Sequence, residues 1–95
     1  MTKVNYSTFI VSDHLDNDAV VSEYLSLAAQ DKNPDLLLKA LADVAKARGM
    51  AQVARDSGLG RESLYKALTP GAKPRYETIA AVIRALNVKF EVAVR

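Results

Sequence analysis

The chain has 95 residues, of which 49% are apolar and 25% are charged, with no cysteine and a single histidine. This length suits one domain, since single domains typically hold about 50 to 200 residues. The apolar fraction excludes an intrinsically disordered chain, and no apolar run approaches the roughly 18 residues of a membrane-spanning helix. Lack of cysteine excludes disulfides and thiolate metal sites. We therefore expect a globular cytoplasmic protein with no cofactor and no membrane partner.

Charge is divided unevenly along the chain, although the formal net charge is only +2. Residues 1–38 carry two lysines against six carboxylates, a net −4, whereas residues 39–95 carry eleven basic against five acidic residues, a net +6. Such a division suggests a cationic partner for the first half and an anionic partner for the second. Chance on a short chain is the alternative explanation.

Two helices are predicted in the acidic half, after a short β-branched and aromatic stretch at residues 6–11. Residues 16–18 supply an N-cap and negative first-turn charge for a helix that runs to about Gln30. Residues 33–35 begin a second helix with a cap, a proline at the first position and an acid behind it. That helix ends at Arg48. Apolar residues recur at spacings of three and four in both helices, which predicts one buried face on each.

Three further helices and a terminal strand are predicted in the basic half. Two short helices cover residues 51–57 and 61–68, and a last helix covers about residues 76–86. Between them, residues 69–74 contain two prolines and a glycine and must form a loop. In residues 88–95 the apolar side chains alternate with polar or small ones, a period of two that indicates a strand with one buried face.

The predicted terminal strand needs a neighbouring strand, because a lone strand leaves its backbone groups unpaired. It could pair with residues 6–11 of its own chain or with the same strand of a second subunit across a two-fold axis. We favour the homodimer, since a chain this short buries a limited core and gains from a partner.

The most informative stretch begins at Met50. Counting from that residue, positions five, nine, ten and fifteen are Ala54, Gly58, Leu59 and Leu64, which is the spacing of a helix-turn-helix. A small residue at Ala54 allows the second helix to cross closely over the first. Gly58 permits the positive φ that ends the first helix abruptly, and the two leucines fill the space between the helices.

This stretch resembles the addiction-module antidote proteins, antitoxins with a phage-repressor-type helix-turn-helix. The resemblance is carried by residues 49–68, GMAQVARDSGLGRESLYKAL, and is most specific in RESLYKAL. Residues 74–79 and 82–86 are similar to the same family, so that most of the chain from residue 16 to residue 90 is covered. The family implies an antitoxin that neutralises a small cognate toxin and represses its own operon by binding operator DNA.

The expected fold is mainly α: a five-helix, lambda-repressor-like DNA-binding domain with a helix-turn-helix and a C-terminal β-strand. We expect residues 1–95 to form one domain, with an acidic N-terminal segment and first helix in residues 1–33 and a helix-turn-helix core in residues 34–87. The strand follows in residues 88–95. Phage repressors often carry a phosphate-binding glutamine where this chain has Met50, and Gln52 is the nearest substitute.

The second helix of a helix-turn-helix places its N-terminal residues in the major groove. There, Arg61 can bond guanine with two hydrogen bonds, Glu62 can accept one from cytosine, and Lys66 can reach a base or a phosphate. Phosphate contacts are expected in the following loop and at the helix start. The candidate DNA-binding residues are Gln52, Gly60, Arg61, Glu62, Ser63, Tyr65, Lys66, Lys73 and Arg75, with Arg48 and Arg55 as weaker candidates.

Four of these residues, Arg61, Glu62, Tyr65 and Lys66, also have a purely structural interpretation. The face of the helix predicted at residues 61–68 could be an ordinary solvated surface on which Glu62 and Lys66 form an ion pair four residues apart. Tyr65 could equally pack in the core or contact DNA. These alternatives predict different exposures and different side-chain partners.

No catalytic or metal site is predicted. His14 is the single histidine, and the chain offers no second nitrogen ligand or thiolate for zinc. The glycines at 58 and 60 follow a helix and lack a third glycine, so they do not form a nucleotide-binding fingerprint. The sequence predicts a dimeric DNA-binding antitoxin whose toxin is small and basic. The alternatives are a stand-alone helix-turn-helix regulator and a protein-interaction module that does not bind DNA.

Overall fold

A computed structural model describes residues 15–95 and shows five α-helices in them. In chain order these are α1 (Asp18–Gln30), α2 (Pro34–Arg48), α3 (Met50–Ser57), α4 (Arg61–Ala67) and α5 (Tyr76–Ala85). The mainly helical fold and all five predicted helices are therefore confirmed, with ends within about one residue of the predicted ones. His14 and the stretch at residues 6–11 lie outside the described residues. Across residues 15–95, no helix has both the length and the apolar character needed to cross a membrane.

The first two helices begin at asparagine caps, as their sequences predict. The side-chain oxygen of Asn17 accepts hydrogen bonds from the backbone N–H groups of Ala19 and Val20, at 2.9 and 3.3 Å. Asn33 accepts one from the N–H of Asp35 at 3.0 Å, with Pro34 at the first helical position. Each cap satisfies a backbone donor that the helix itself leaves unpaired, an effect of about 1 kcal/mol.

The core is one cluster of buried apolar side chains to which every helix contributes. Helix α2 supplies five of them and packs against α1 and α3, while α3 also packs against α4 and α5. None of the buried residues in the described part of the chain is polar or charged. The members of the cluster are Leu15, Val21, Leu25, Leu38, Ala40, Leu41, Val44, Ala45, Met50, Val53, Ala54, Leu64, Leu68, Val82 and Leu86.

A polar contact also connects α1 to α2 at the edge of this core. The hydroxyl of Tyr24 donates to Asp43 Oδ2 at 2.6 Å, and Lys39 Nζ reaches the same oxygen at 3.0 Å. Burial raises the pKa of Tyr24 above its usual value, and the hydrogen bond to Asp43 and the charge of that carboxylate act in the same direction. The tyrosine is thus held in its neutral, donating form.

The turn between α3 and α4 has the geometry that its sequence predicts. Gly58 ends α3 in the left-handed conformation, with φ at 78°, and its N–H donates to the carbonyl of Arg55. Ala54 is 6% exposed and Leu64 is fully buried, while Leu59 is half-buried against the core. The left-handed turn predicted at Gly58 is therefore present, and Ala54 and Leu64 are buried in the core.

The predicted C-terminal strand is not formed within the part of the chain that the structure describes. After Asn87 the chain joins no ladder, and Val92 and Val94 are each 98% exposed. The physical reason is that a period-two pattern makes a strand only where a second strand accepts its hydrogen bonds. Residues 15–95 contain no such second strand.

The two glycines of the α3–α4 turn provide a matched test of the left-handed turn. An added Cβ would meet no atom within 4 Å at either Gly58 or Gly60, but only Gly58 has a positive φ. We expect Gly58→Ala to lower the free energy of unfolding by about 1 to 2 kcal/mol, because a side chain is strained in that conformation. Urea denaturation followed by circular dichroism measures the loss.

Gly60→Ala is the control. Its effect should stay within about 0.5 kcal/mol, since the weaker N-cap and the reduced freedom of the unfolded chain oppose each other. Equal losses for the two variants would show that φ at Gly58 does not constrain the turn.

Candidate nucleic-acid interface

The nine residues predicted to contact DNA are all exposed. They lie on three consecutive parts of the chain: α3, the turn with α4, and the loop that leads to α5. For the residues on α4, burial of apolar residues on the opposite side of the helix explains this exposure. Leu64 and Leu68 are buried in the core, which turns the remaining side chains of the helix to solvent.

The charged side chains of α4 are not paired with each other. The ion pair considered between Glu62 and Lys66 is absent from the ion pairs of residues 15–95. Nor does any described residue form a salt bridge or a side-chain hydrogen bond with Arg61, Lys73 or Arg75. These cations can therefore bind an external anion without first breaking a contact inside the described fold.

Tyr65 is 44% exposed, so it is not a fully packed core residue. Its backbone carbonyl accepts a hydrogen bond from the hydroxyl of Thr69 at 2.8 Å, just beyond the end of α4. About half of the side chain remains available to a partner at this surface. An aromatic ring with a phenolic hydroxyl can serve both apolar and polar contacts there.

Gln52 is held by two neighbours on its own helix. Its amide nitrogen donates to Asp56 Oδ1 at 2.9 Å, and its amide oxygen accepts from Arg55 Nη2 at 2.6 Å. All three side chains are exposed. The amide nitrogen of Gln52 carries two N–H groups, so one of them can donate to a phosphate while the other stays bonded to Asp56.

The two weaker candidates differ from each other in their contacts. Arg55 bonds to Gln52 on the exposed side of α3, as described above. Arg48 instead reaches the first turn of α1, with Nη2 3.7 Å from Asp18 Oδ1. The structure therefore connects Arg48 to the acidic helix rather than to α4.

The loop after α4 is attached to a distant part of the chain. The N–H of Gly71 donates to Asp35 Oδ1 at 2.8 Å, although the two residues are 36 positions apart. Gly71 and Lys73 both have a positive φ, 84° and 51°. Such a conformation is uncommon for a lysine, and it sets the path by which the loop presents Lys73 and then Arg75.

Asp35 is a positioning residue that the sequence interpretation missed. Its place in the first turn of α2 explains it fully as a helix-terminal acid, and nothing local indicates a second role. The contact with Gly71 depends on how α2 packs beside the loop, which only the folded chain shows.

The acidic side chains of residues 15–95 form no metal centre. Within residues 15–95 no three His, Cys, Asp or Glu residues come together in a group that could hold an ion. The arrangement at α3, α4 and the loop is a surface of exposed donors and cations. Such a surface is chemically suited to binding rather than to holding a cofactor.

The family model for "Probable addiction module antidote protein" matches residues 5–94. The chain belongs to this family. The match includes all nine candidate residues as well as the acidic helices and the C-terminal tail. It also agrees with the resemblance that residues 49–68 carry.

A relative from Haemophilus influenzae is 44% identical over 84 residues, which cover 88% of this chain and 87% of that protein. Its description is "Uncharacterized protein", so it adds a family relationship and no activity. No solved structure matches the chain at a comparable level of significance. Within the antidote family, the chemistry of this surface is therefore argued from its own residues.

The contact between Asp35 and Gly71 predicts how the loop responds to substitution. Asp35→Ala removes the acceptor, and we expect faster hydrogen exchange at the Gly71 amide and a loss of about 1 kcal/mol in the free energy of unfolding. Asp35→Asn keeps an acceptor oxygen and should retain most of the amide protection. Amide exchange measured by NMR separates the two. Unchanged protection of Gly71 in Asp35→Ala would show that the bond does not hold the loop.

Proposed function

We propose that this protein is an antitoxin that binds double-stranded operator DNA, represses its own operon and neutralises a cognate toxin. The observation that carries the proposal is the outward face of α4 and the following loop, where Arg61, Lys66, Lys73 and Arg75 are exposed and without partners among the described residues. In an antidote protein that binds operator DNA, such a surface would contact the duplex. The protein acts in this proposal by binding, without catalysis, in the cytoplasm.

In this proposal α3 and α4 form a phage-repressor-type helix-turn-helix, and α4 enters the major groove. The first turn of α4 meets base edges, where Arg61 donates to guanine and Glu62 accepts from cytosine N4. Ser63, Tyr65 and Lys66 are next along the exposed face. This division of roles follows from their order on the helix, since the N-terminal residues of a recognition helix reach deepest into the groove.

Phosphate contacts in the proposal come from the parts that flank α4. Lys73 and Arg75 follow the DNA backbone from the loop, and Gln52 and the backbone amide of Gly60 approach it from α3 and the turn. Such contacts fix the position of the protein on the duplex and carry no sequence information themselves. Release of counterions from the DNA makes their contribution dependent on salt.

The toxin, in the same proposal, is small and basic and meets the acidic half of the chain. Asp16, Glu23 and Asp31 are exposed in and around α1. The first half carries the net −4 while the residues proposed for DNA carry the positive charge, so one chain can engage two partners of opposite sign. A homodimer would place two copies of α4 on an operator with two-fold symmetry.

Two substitutions distinguish base contacts from phosphate contacts. Arg61→Ala should cost about 1 to 3 kcal/mol on the operator and relax specificity at one base pair. Lys73→Ala should weaken binding to all sequences and reduce the salt slope by about 1. Fluorescence anisotropy with the promoter duplex and a scrambled duplex, over a salt series, measures both effects.

Lys32→Ala is the matched control for Lys73→Ala, because Lys32 is also exposed but lies between α1 and α2 in the acidic half. It should leave the affinity and the salt slope unchanged. If the unmodified protein binds its promoter no better than scrambled DNA and shows no salt dependence, the DNA-binding proposal fails and a protein-interaction module takes its place.

The toxin proposal is tested with the product of the neighbouring reading frame. We expect a small basic protein that binds this chain more weakly as salt rises. Glu23→Gln should weaken that complex by up to about 1 kcal/mol, whereas Glu77→Gln, an exposed acid on α5, should not. Calorimetric titration gives the affinities. A neighbouring frame whose product neither binds nor inhibits growth would leave a stand-alone regulator.

A further inference from the structure

Two leucines on the outside of helices α1 and α2 are exposed although they are large and apolar. Leu27 on α1 is 46% exposed, and Leu36 on α2 is 40% exposed. On the five helices of the described chain, the other large apolar residues with this exposure are two tyrosines in α4 and α5. Neither leucine belongs to the buried cluster or to the residues packed against it. Their side chains therefore take no part in the core.

The contact between α1 and α2 places both leucines on one face. Only residues 31–33 join the two helices, which pack together as an antiparallel hairpin. The hydroxyl of Tyr24 bonds to Asp43 across this hairpin. Leu27 lies one turn after Tyr24, and Leu36 lies two turns before Asp43, so both project from the side that carries this bond. Their positions along the hairpin differ by only about 6 Å of helical rise.

Carboxylates surround these two leucines. Glu23 lies one turn before Leu27, and Asp31 caps the end of α1 four residues after it. Both acids are exposed, and neither forms an ion pair with any described residue. Asp43 lies on the same side, where the Nζ of Lys39 offsets its charge at 3.0 Å. An apolar centre with a charged rim is the usual composition of a protein interface. We call this surface the hairpin face.

We propose that the hairpin face binds the toxin, with Leu27 and Leu36 entering an apolar depression on that small basic protein. Glu23 and Asp31 then pair with lysines or arginines around the depression. This inference rests on the proposed function and specifies which surface of the acidic half makes the contact. Burial of the leucines supplies affinity that does not depend on salt, whereas the carboxylates favour the approach of a basic partner.

Charge argues against the other occupants of the hairpin face. Residues 16–43 carry six carboxylates and two lysines, a net −4. A second copy docked face to face would therefore bring like charges together. The same charge repels duplex DNA and anionic lipid. A basic protein is the partner for which both the leucines and the carboxylates are favourable.

Alanine substitutions test the two leucines. Leu27→Ala and Leu36→Ala remove exposed apolar area and keep a good helix former, so helix content and affinity for the promoter duplex should not change. We expect each to raise the Kd for the purified product of the neighbouring reading frame about tenfold. The double variant should raise it about a hundredfold, since the two contacts are expected to add. Calorimetric titration measures the affinities.

Tyr76→Ala is the matched control, because Tyr76 is 80% exposed but lies on α5, outside the hairpin face. It should leave the affinity for the same product unchanged. A salt series separates the two parts of the face. The loss caused by Leu27→Ala should persist at high salt, whereas the loss caused by Glu23→Gln should fade.

The outcomes distinguish this docking surface from the proposed function. A product that binds the chain but ignores both leucine substitutions, or responds equally to Tyr76→Ala, would overturn the docking surface and leave the antitoxin function standing. A product that does not bind at all would refute the toxin part of the proposed function, and the docking surface with it. If the leucine substitutions instead lower self-association of the isolated chain in analytical ultracentrifugation, the hairpin face pairs two copies and the toxin does not dock there.

Discussion

The burial of Leu64 in the core is the interaction on which the surface of this protein depends. A helix of only seven residues has few ways to define its orientation, and Leu64 defines it by placing one side chain in the core. Gly58 allows the chain to turn sharply enough for this, and the small side chain of Ala54 allows the helices to approach. The direction of every charged group on α4 follows from that packing, so the proposed chemistry of the surface depends on apolar contacts beneath it.

The helices in the two halves of the chain share one core but are stabilised in different ways. Helices α1 and α2 are capped, long and joined by the contact between Tyr24 and Asp43, and they leave acidic side chains in solvent. Helices α3 and α4 are short, and their order comes from packing of α3 on α2 and α5 and of α4 on α3. The bond between Asp35 and Gly71 links the halves outside the core, since it joins the first turn of α2 to the loop that carries Lys73. Two surfaces of opposite charge are thus built on one small hydrophobic cluster.

The features predictable from sequence were the ones with local causes. The caps at Asn17 and Asn33 and the left-handed turn at Gly58 are each specified by neighbouring residues, so the helices and their ends could be derived. The contacts of Asp35 and Tyr24 could not, because they join residues 36 and 19 positions apart and depend on how helices pack. The prediction of a C-terminal strand was wrong for the described part of the chain, and for a related reason. Alternation of apolar and polar residues predicts an extended backbone but does not supply the second strand that must lie beside it.

Lys73 shows how stability and charge oppose each other at a single position. Its left-handed backbone, with φ at 51°, is one that glycine adopts without steric cost and that other residues adopt at a cost of about 1 to 2 kcal/mol. Glycine would therefore suit the loop better, and asparagine nearly as well, but neither carries a positive charge. A lysine at this position makes the fold less stable than its backbone would allow. Selection for thermal stability alone would remove this cation early, and the loop would keep its shape while losing its attraction for an anion.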